Sequence, residues 1–62
     1  MRGLTRRQTD RMFELLHLAY TVRYAGHGIY KAAKSDSSGM VVVFFYSKDG
    51  SIKTITRTTE EK

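Results

Sequence analysis

The apolar positions of the chain fall into one helical stretch followed by short extended ones. Between Arg6 and Tyr24, the residues Met12, Leu15, Leu16, Ala19 and Val22 recur every three or four positions. Phe13 and Tyr20 flank them, while Asp10, Glu14, His17 and Thr21 share the opposite side. This spacing predicts an amphipathic helix over about 6–24. Thr5-Arg6-Arg7-Gln8 fits a capping box, with Thr5 accepting from a first-turn N–H and Gln8 reaching back to the cap. The apolar arc spans about 220°, at roughly 100° per residue, which is wider than contact with one sheet requires. Part of the helix is therefore expected to meet a second partner. Gly26 reads as the left-handed residue that ends it.

Beyond the glycines, Ile29 to Lys34 reads as a strand and Ser35-Asp36-Ser37-Ser38-Gly39 as a polar turn. Met40-Val41-Val42-Val43-Phe44-Phe45-Tyr46 is β-branched and aromatic without alternation, the pattern of a central strand buried on both faces. Lys48-Asp49-Gly50 signals a hairpin, with two registers open. A two-residue loop sets Phe44 opposite Ile55 and Tyr46 opposite Lys53; a three-residue loop pairs Tyr46 with Ile52. The Thr-rich stretch Ser51–Thr58 suits an exposed edge. The expected architecture is a single α+β domain over 1–62. One N-terminal helix packs on a three-stranded antiparallel meander, α-β-β-β, with strands at about 29–34, 40–47 and 51–58.

That architecture leaves one sheet face bare. Val41, Val43 and Phe45 alternate with Val42, Phe44 and Tyr46, and a single helix covers one side only. Leaving about 300 Å² of such surface wet invites association. At about 25 cal/mol per Å², covering it contributes several kcal/mol. An interface carried by Val41, Val43, Phe45 and Tyr46 is expected, with a protein partner or a second copy in a homodimer.

Composition narrows the function classes. The chain has 62 residues with no Cys, Pro or Trp, so disulfides are excluded, as is a two-lobed cofactor enzyme. His17 and His27 alone do not make a structural zinc site, and no metal or organic cofactor is expected. The apolar run Met12–Tyr20 is short and contains Glu14 and His17, which suits neither a membrane span nor a secretory segment. A cytoplasmic protein is expected. Charge is uneven: residues 1–34 hold seven of the eleven basic side chains against Asp10 and Glu14, and so carry the whole net charge of +5. Such asymmetry points to a polyanionic partner: RNA, DNA or an acidic protein surface.

No P-loop, dinucleotide fingerprint or paired-carboxylate constellation is present. What remains is His27 between two glycines, with Arg23 before it and Lys31 after it. An imidazole titrating near neutrality can move the 2′-hydroxyl proton of RNA, and nearby cations can stabilise the charged phosphorane without a metal. The candidate catalytic residue is thus His27. Arg6, Arg7, Arg11, Arg23 and Lys31 are candidates for phosphate contact, and Tyr24 and Tyr30 for base stacking.

The stretch Arg23-Tyr24-Ala25-Gly26-His27-Gly28-Ile29-Tyr30-Lys31, followed by Gly39-Met40-Val41-Val42-Val43, resembles HicA-type toxins. These are small mRNA interferases of toxin–antitoxin pairs with a double-stranded-RNA-binding-domain-like α-β-β-β-α fold. The resemblance implies RNA cleavage with His27 in the catalytic role, and an antitoxin as protein partner. Gly28 stands where the doubled-His form of the motif has a second His, the small residue between Gly and His is missing, and no stretch matches the family's closing helix. The alternative is a small inhibitor or adaptor, of the kind carried by phages and mobile elements, that docks without catalysis on a host nucleic-acid-processing protein. In that reading Phe45 or Tyr46 supplies the anchor.

Overall fold

The computed structural model describes residues 3–58, without the side chain of Thr58. The elements are α1 (Arg6–His17), β1 (Thr21–Gly26), β2 (Ile29–Asp36), β3 (Gly39–Tyr46) and β4 (Ser51–Thr58). The strands form one antiparallel sheet in the order β1-β2-β3-β4. The chain is α+β, but the sheet has four strands where three were expected, and the helix ends seven residues before Tyr24.

The reason lies at Leu18–Tyr20. The Ala19 N–H donates to the Leu16 carbonyl (3.1 Å) and the Tyr20 N–H to the Leu15 carbonyl (3.0 Å), with Ala19 left-handed at φ 71°. This is a Schellman stop, here with Ala in the place that glycine usually takes. Thr21-Val22-Arg23-Tyr24 then extends, as β-branched and aromatic residues favour. Gly26 is consequently no helix cap. It pairs with Ile29, and the link between β1 and β2 is the two-residue turn His27-Gly28. Both turn residues have positive φ, 55° and 76°, as a type I′ turn requires. A bulge at Ala25 separates the turn from the regular ladder.

The other hairpins are closed by side chains. Asp36 Oδ1 accepts from the Ser38 hydroxyl (2.7 Å) and N–H (2.9 Å), and Asp49 Oδ1 accepts likewise from Ser51 (2.7 and 3.0 Å). These bonds, the hydroxyl's foremost, hold both carboxyls below the usual aspartate range. The β3–β4 loop is four residues, Ser47–Gly50, so Tyr46 faces Ser51, Phe45 faces Ile52 and Phe44 faces Lys53. Neither expected register holds. The Gly50 N–H returns to the Tyr46 carbonyl (2.9 Å) with Gly50 at φ 75°, which lengthens the loop beyond Asp49-Gly50.

The core is Met12 and Leu15 from the helix against Ala32, Val43 and Phe45. The capping box forms as expected, and Gln8 does more than cap. Fully buried, it accepts from the Thr5 N–H (2.9 Å), and its Nε2 donates to the Tyr46 (3.0 Å) and Ser51 (2.9 Å) carbonyls. The start of α1 is thereby fastened to the end of the β3–β4 hairpin. Phe13, Leu16 and Leu18 stay exposed, so the wide apolar arc of the helix exceeds what this sheet covers. No helix among the described residues is long and apolar enough to cross a membrane.

Candidate nucleic-acid interface

Because side chains alternate across a strand, the register decides which residues share the face away from α1. The pairs Arg23–Lys31, Lys31–Phe44 and Phe44–Lys53 run across all four strands and form one row on that face. The next row toward the Asp36–Gly39 turn holds Ala33, Val42 and Ile55, and the one after it Met40 and Arg57. On the other side of Phe44 lies Tyr46, 6.3 Å between ring centroids and tilted by 46°. Lys53 Nζ stands 5.8 Å from the Tyr46 ring centre, within cation–π range. Among the described residues no secondary-structure element covers this face.

The electrostatics of this face are one-sided. Its four cations are Arg23, Lys31, Lys53 and Arg57, and it carries no carboxylate among the described residues. Asp10 and Glu14 lie on α1, Asp36 is bonded to Ser38, and Asp49 lies in the β3–β4 loop. Arg23 and Lys31 stand directly opposite each other on paired strands, a juxtaposition that destabilises a sheet.

The structure divides the residues singled out in the sequence. Arg23 and Lys31 lie together on the open face, but Arg6, Arg7 and Arg11 are on the helix, on the other side of the sheet. Two of those three have a carboxylate beside them on the helix: Arg6 has Asp10 at 4.0 Å and Arg11 has Glu14 at 2.7 Å. Tyr24 and Tyr30 are cross-strand neighbours on the helix side, 4.9 Å apart and tilted by 55°. The Tyr24 hydroxyl accepts from the Gly28 N–H (3.0 Å), so this ring buttresses the turn. The expected interface set is split as well. Val41, Val43 and Phe45 face the helix, with Val43 and Phe45 buried, and only Tyr46 belongs to the open face. Burial under α1 removes Phe45 as an anchor.

Comparison with protein-family models, curated proteins and solved structures finds no match. The resemblance to HicA-type toxins therefore rests on its own residues, and the four-stranded sheet differs from the three strands it implies.

His27 is an exposed turn residue and makes no hydrogen bond or ion pair with the described residues. Histidine tolerates the left-handed region better than most residues, so the turn itself accounts for Gly-His-Gly. His27 shares a cleft of about 210 Å³ with Ile29, Tyr46 and Lys48. The turn is tied there by Ser47, whose N–H (3.0 Å) and hydroxyl (2.7 Å) both donate to the Gly28 carbonyl.

Lys53, Arg57, Phe44 and Val42 also lie on the open face, although none of them was among the candidate contact residues singled out from the sequence. Their alternation was visible, but the face of β4 depends on a single residue of loop length. A three-residue loop would have turned Lys53 and Arg57 toward the helix.

Proposed function

We propose that the chain is a small RNA-directed binding protein that takes a phosphate backbone on its open sheet face. The observation that carries this reading is the sharing of one uncovered face by Arg23, Lys31, Lys53 and Arg57, interleaved with Phe44 and Tyr46 and without a carboxylate among the described residues. Cations that neutralise phosphates release counterions, and affinity then falls steeply with salt. RNA comes ahead of DNA on the HicA-type resemblance. The test is fluorescence anisotropy with a labelled single-stranded RNA, using the parent and two charge variants. Replacing Arg23, Lys31, Lys53 and Arg57 by Gln abolishes binding; replacing Arg6, Arg7 and Arg11 by Gln leaves most of it. Equal loss in both variants contradicts the reading. An absence of binding by the parent moves the open face to a protein partner, as in the inhibitor alternative.

A cleavage step is favoured by one observation, the cleft that His27 and Lys48 share with Tyr46 at the edge of the same face. There the imidazole would accept the 2′-hydroxyl proton as that oxygen attacks the adjacent phosphorus. Lys48 would stabilise the phosphorane oxygens, and the leaving 5′-oxygen would take a proton from water. Cleavage by the parent and not by His27→Asn supports this step, whereas binding without cleavage leaves a binding protein.

A further inference from the structure

The open face is not uniform. Around Val42 it sinks into a shallow hollow of about 290 Å³ lined by Lys31, Met40, Val42, Phe44, Ile55 and Arg57. The register explains the shape. Val42, at the middle of β3, is flanked by Ala33 on β2 and Ile55 on β4, and Ala33 offers only a methyl group. Along β3, Phe44 and Met40 rise on either side of Val42, and Tyr46 backs the Phe44 ring from beyond. Lys31, opposite Phe44, and Arg57, opposite Met40, stand at diagonal corners. Four residues along β3 and two strand spacings separate their positions, roughly 14 Å by about 10 Å.

An apolar floor, one aromatic wall and a cation at each of two opposite corners match a nucleotide flanked by its phosphates. We infer that this hollow takes one unstacked nucleobase against Phe44, with the adjoining phosphates on Lys31 and Arg57, so that the ligand is a single-stranded stretch. A duplex keeps its bases stacked on one another and could offer this face only its backbone, leaving Phe44 and the Val42 floor unused. This inference rests on the binding function proposed above and adds the form of the ligand.

The test compares three probes of equal phosphate count on the parent protein: a single-stranded RNA, an abasic strand and a hairpin duplex. The intact single strand binds about tenfold more tightly than the abasic one, the range expected for one base on one aromatic ring. Phe44→Leu removes the ring while keeping an apolar side chain; it lowers affinity for the intact strand about tenfold and leaves the abasic strand unchanged. Equal affinities for intact and abasic strands, with salt-dependent binding retained, overturn the inference and leave the phosphate-binding function standing. Loss of salt-dependent binding to all three probes removes both. The probe comparison on the parent decides the matter even where a variant fails to fold.

Discussion

Replacing Gln8 by Glu exchanges one amide for a carboxyl at the most buried polar position among the described residues. The Gln8 amide donates to the Tyr46 carbonyl at 3.0 Å and the Ser51 carbonyl at 2.9 Å. A carboxylate keeps the bond from the Thr5 N–H but sets a negative oxygen against those two carbonyls. Gln8→Leu serves as the neutral reference: it loses all three bonds at similar volume, at about 0.5–1.5 kcal/mol each, or about 3 kcal/mol in sum. A chain of this size is held by roughly 3–9 kcal/mol, so Leu removes from about a third to all of its stability. Glu costs more at neutral pH, because an ionised side chain is buried without a cation. Its folded pKa is raised above the unfolded value of about 4.3, so the folded state binds the extra proton between the two. Stability of Gln8→Glu therefore falls as pH rises through that window and recovers below it. Urea unfolding followed by circular dichroism at pH 4 and pH 7 reads both effects. Variants within about 0.5 kcal/mol of the parent, or a Glu variant that gains stability with rising pH, would refute the clasp.

Three further outcomes follow from the turns. Ala19→Gly relieves the left-handed residue at the end of α1 and raises stability by about 1 kcal/mol, measured by urea midpoint; a loss would contradict the Schellman assignment. His27→Asn suits the type I′ turn and leaves the thermal midpoint and RNA affinity near those of the parent, whereas a collapse of the sheet would show that the imidazole holds structure. The lowered carboxyls of Asp36 and Asp49 stabilise the fold above the unfolded aspartate pKa. That contribution disappears as pH falls through their folded values. Asp49→Ala flattens this acid dependence, and a variant titrating like the parent would exclude Asp49 from it.

The sequence carried local structure well and long-range placement poorly. The Thr5–Gln8 box, the presence of β2 and β3 and the extent of β4 were legible, since caps, polar turns and β-branched runs are local signals, but β2 runs on through Ser35 and Asp36 and β3 begins at Gly39, within the stretch read as a turn. The strand β1 was hidden because Val22 extends the helical spacing of Leu15 and Ala19 as well as the period-two spacing of Tyr20 and Tyr24. Over so few residues the two periods coincide, and hydrogen bonding at Ala19 and Tyr20 decided between them. The candidate site suffered from the same missing information. Charge counted along the chain favoured Arg6, Arg7 and Arg11, yet pairing in space gathers Arg23 and Lys31 with Lys53 and Arg57 from the electrically neutral half. Phe45 and Phe44 are adjacent and chemically identical, and only the position of the helix makes one core and the other surface.

The most direct test of the account is an NMR titration of the isotopically labelled protein with single-stranded RNA, following amide and methyl shifts. The account predicts perturbations on the open-face residues Arg23, Lys31, Val42, Phe44, Lys53 and Arg57, with α1 near Arg6 and Arg11 quiet. Shifts concentrated on α1, with the open face unmoved, would contradict it.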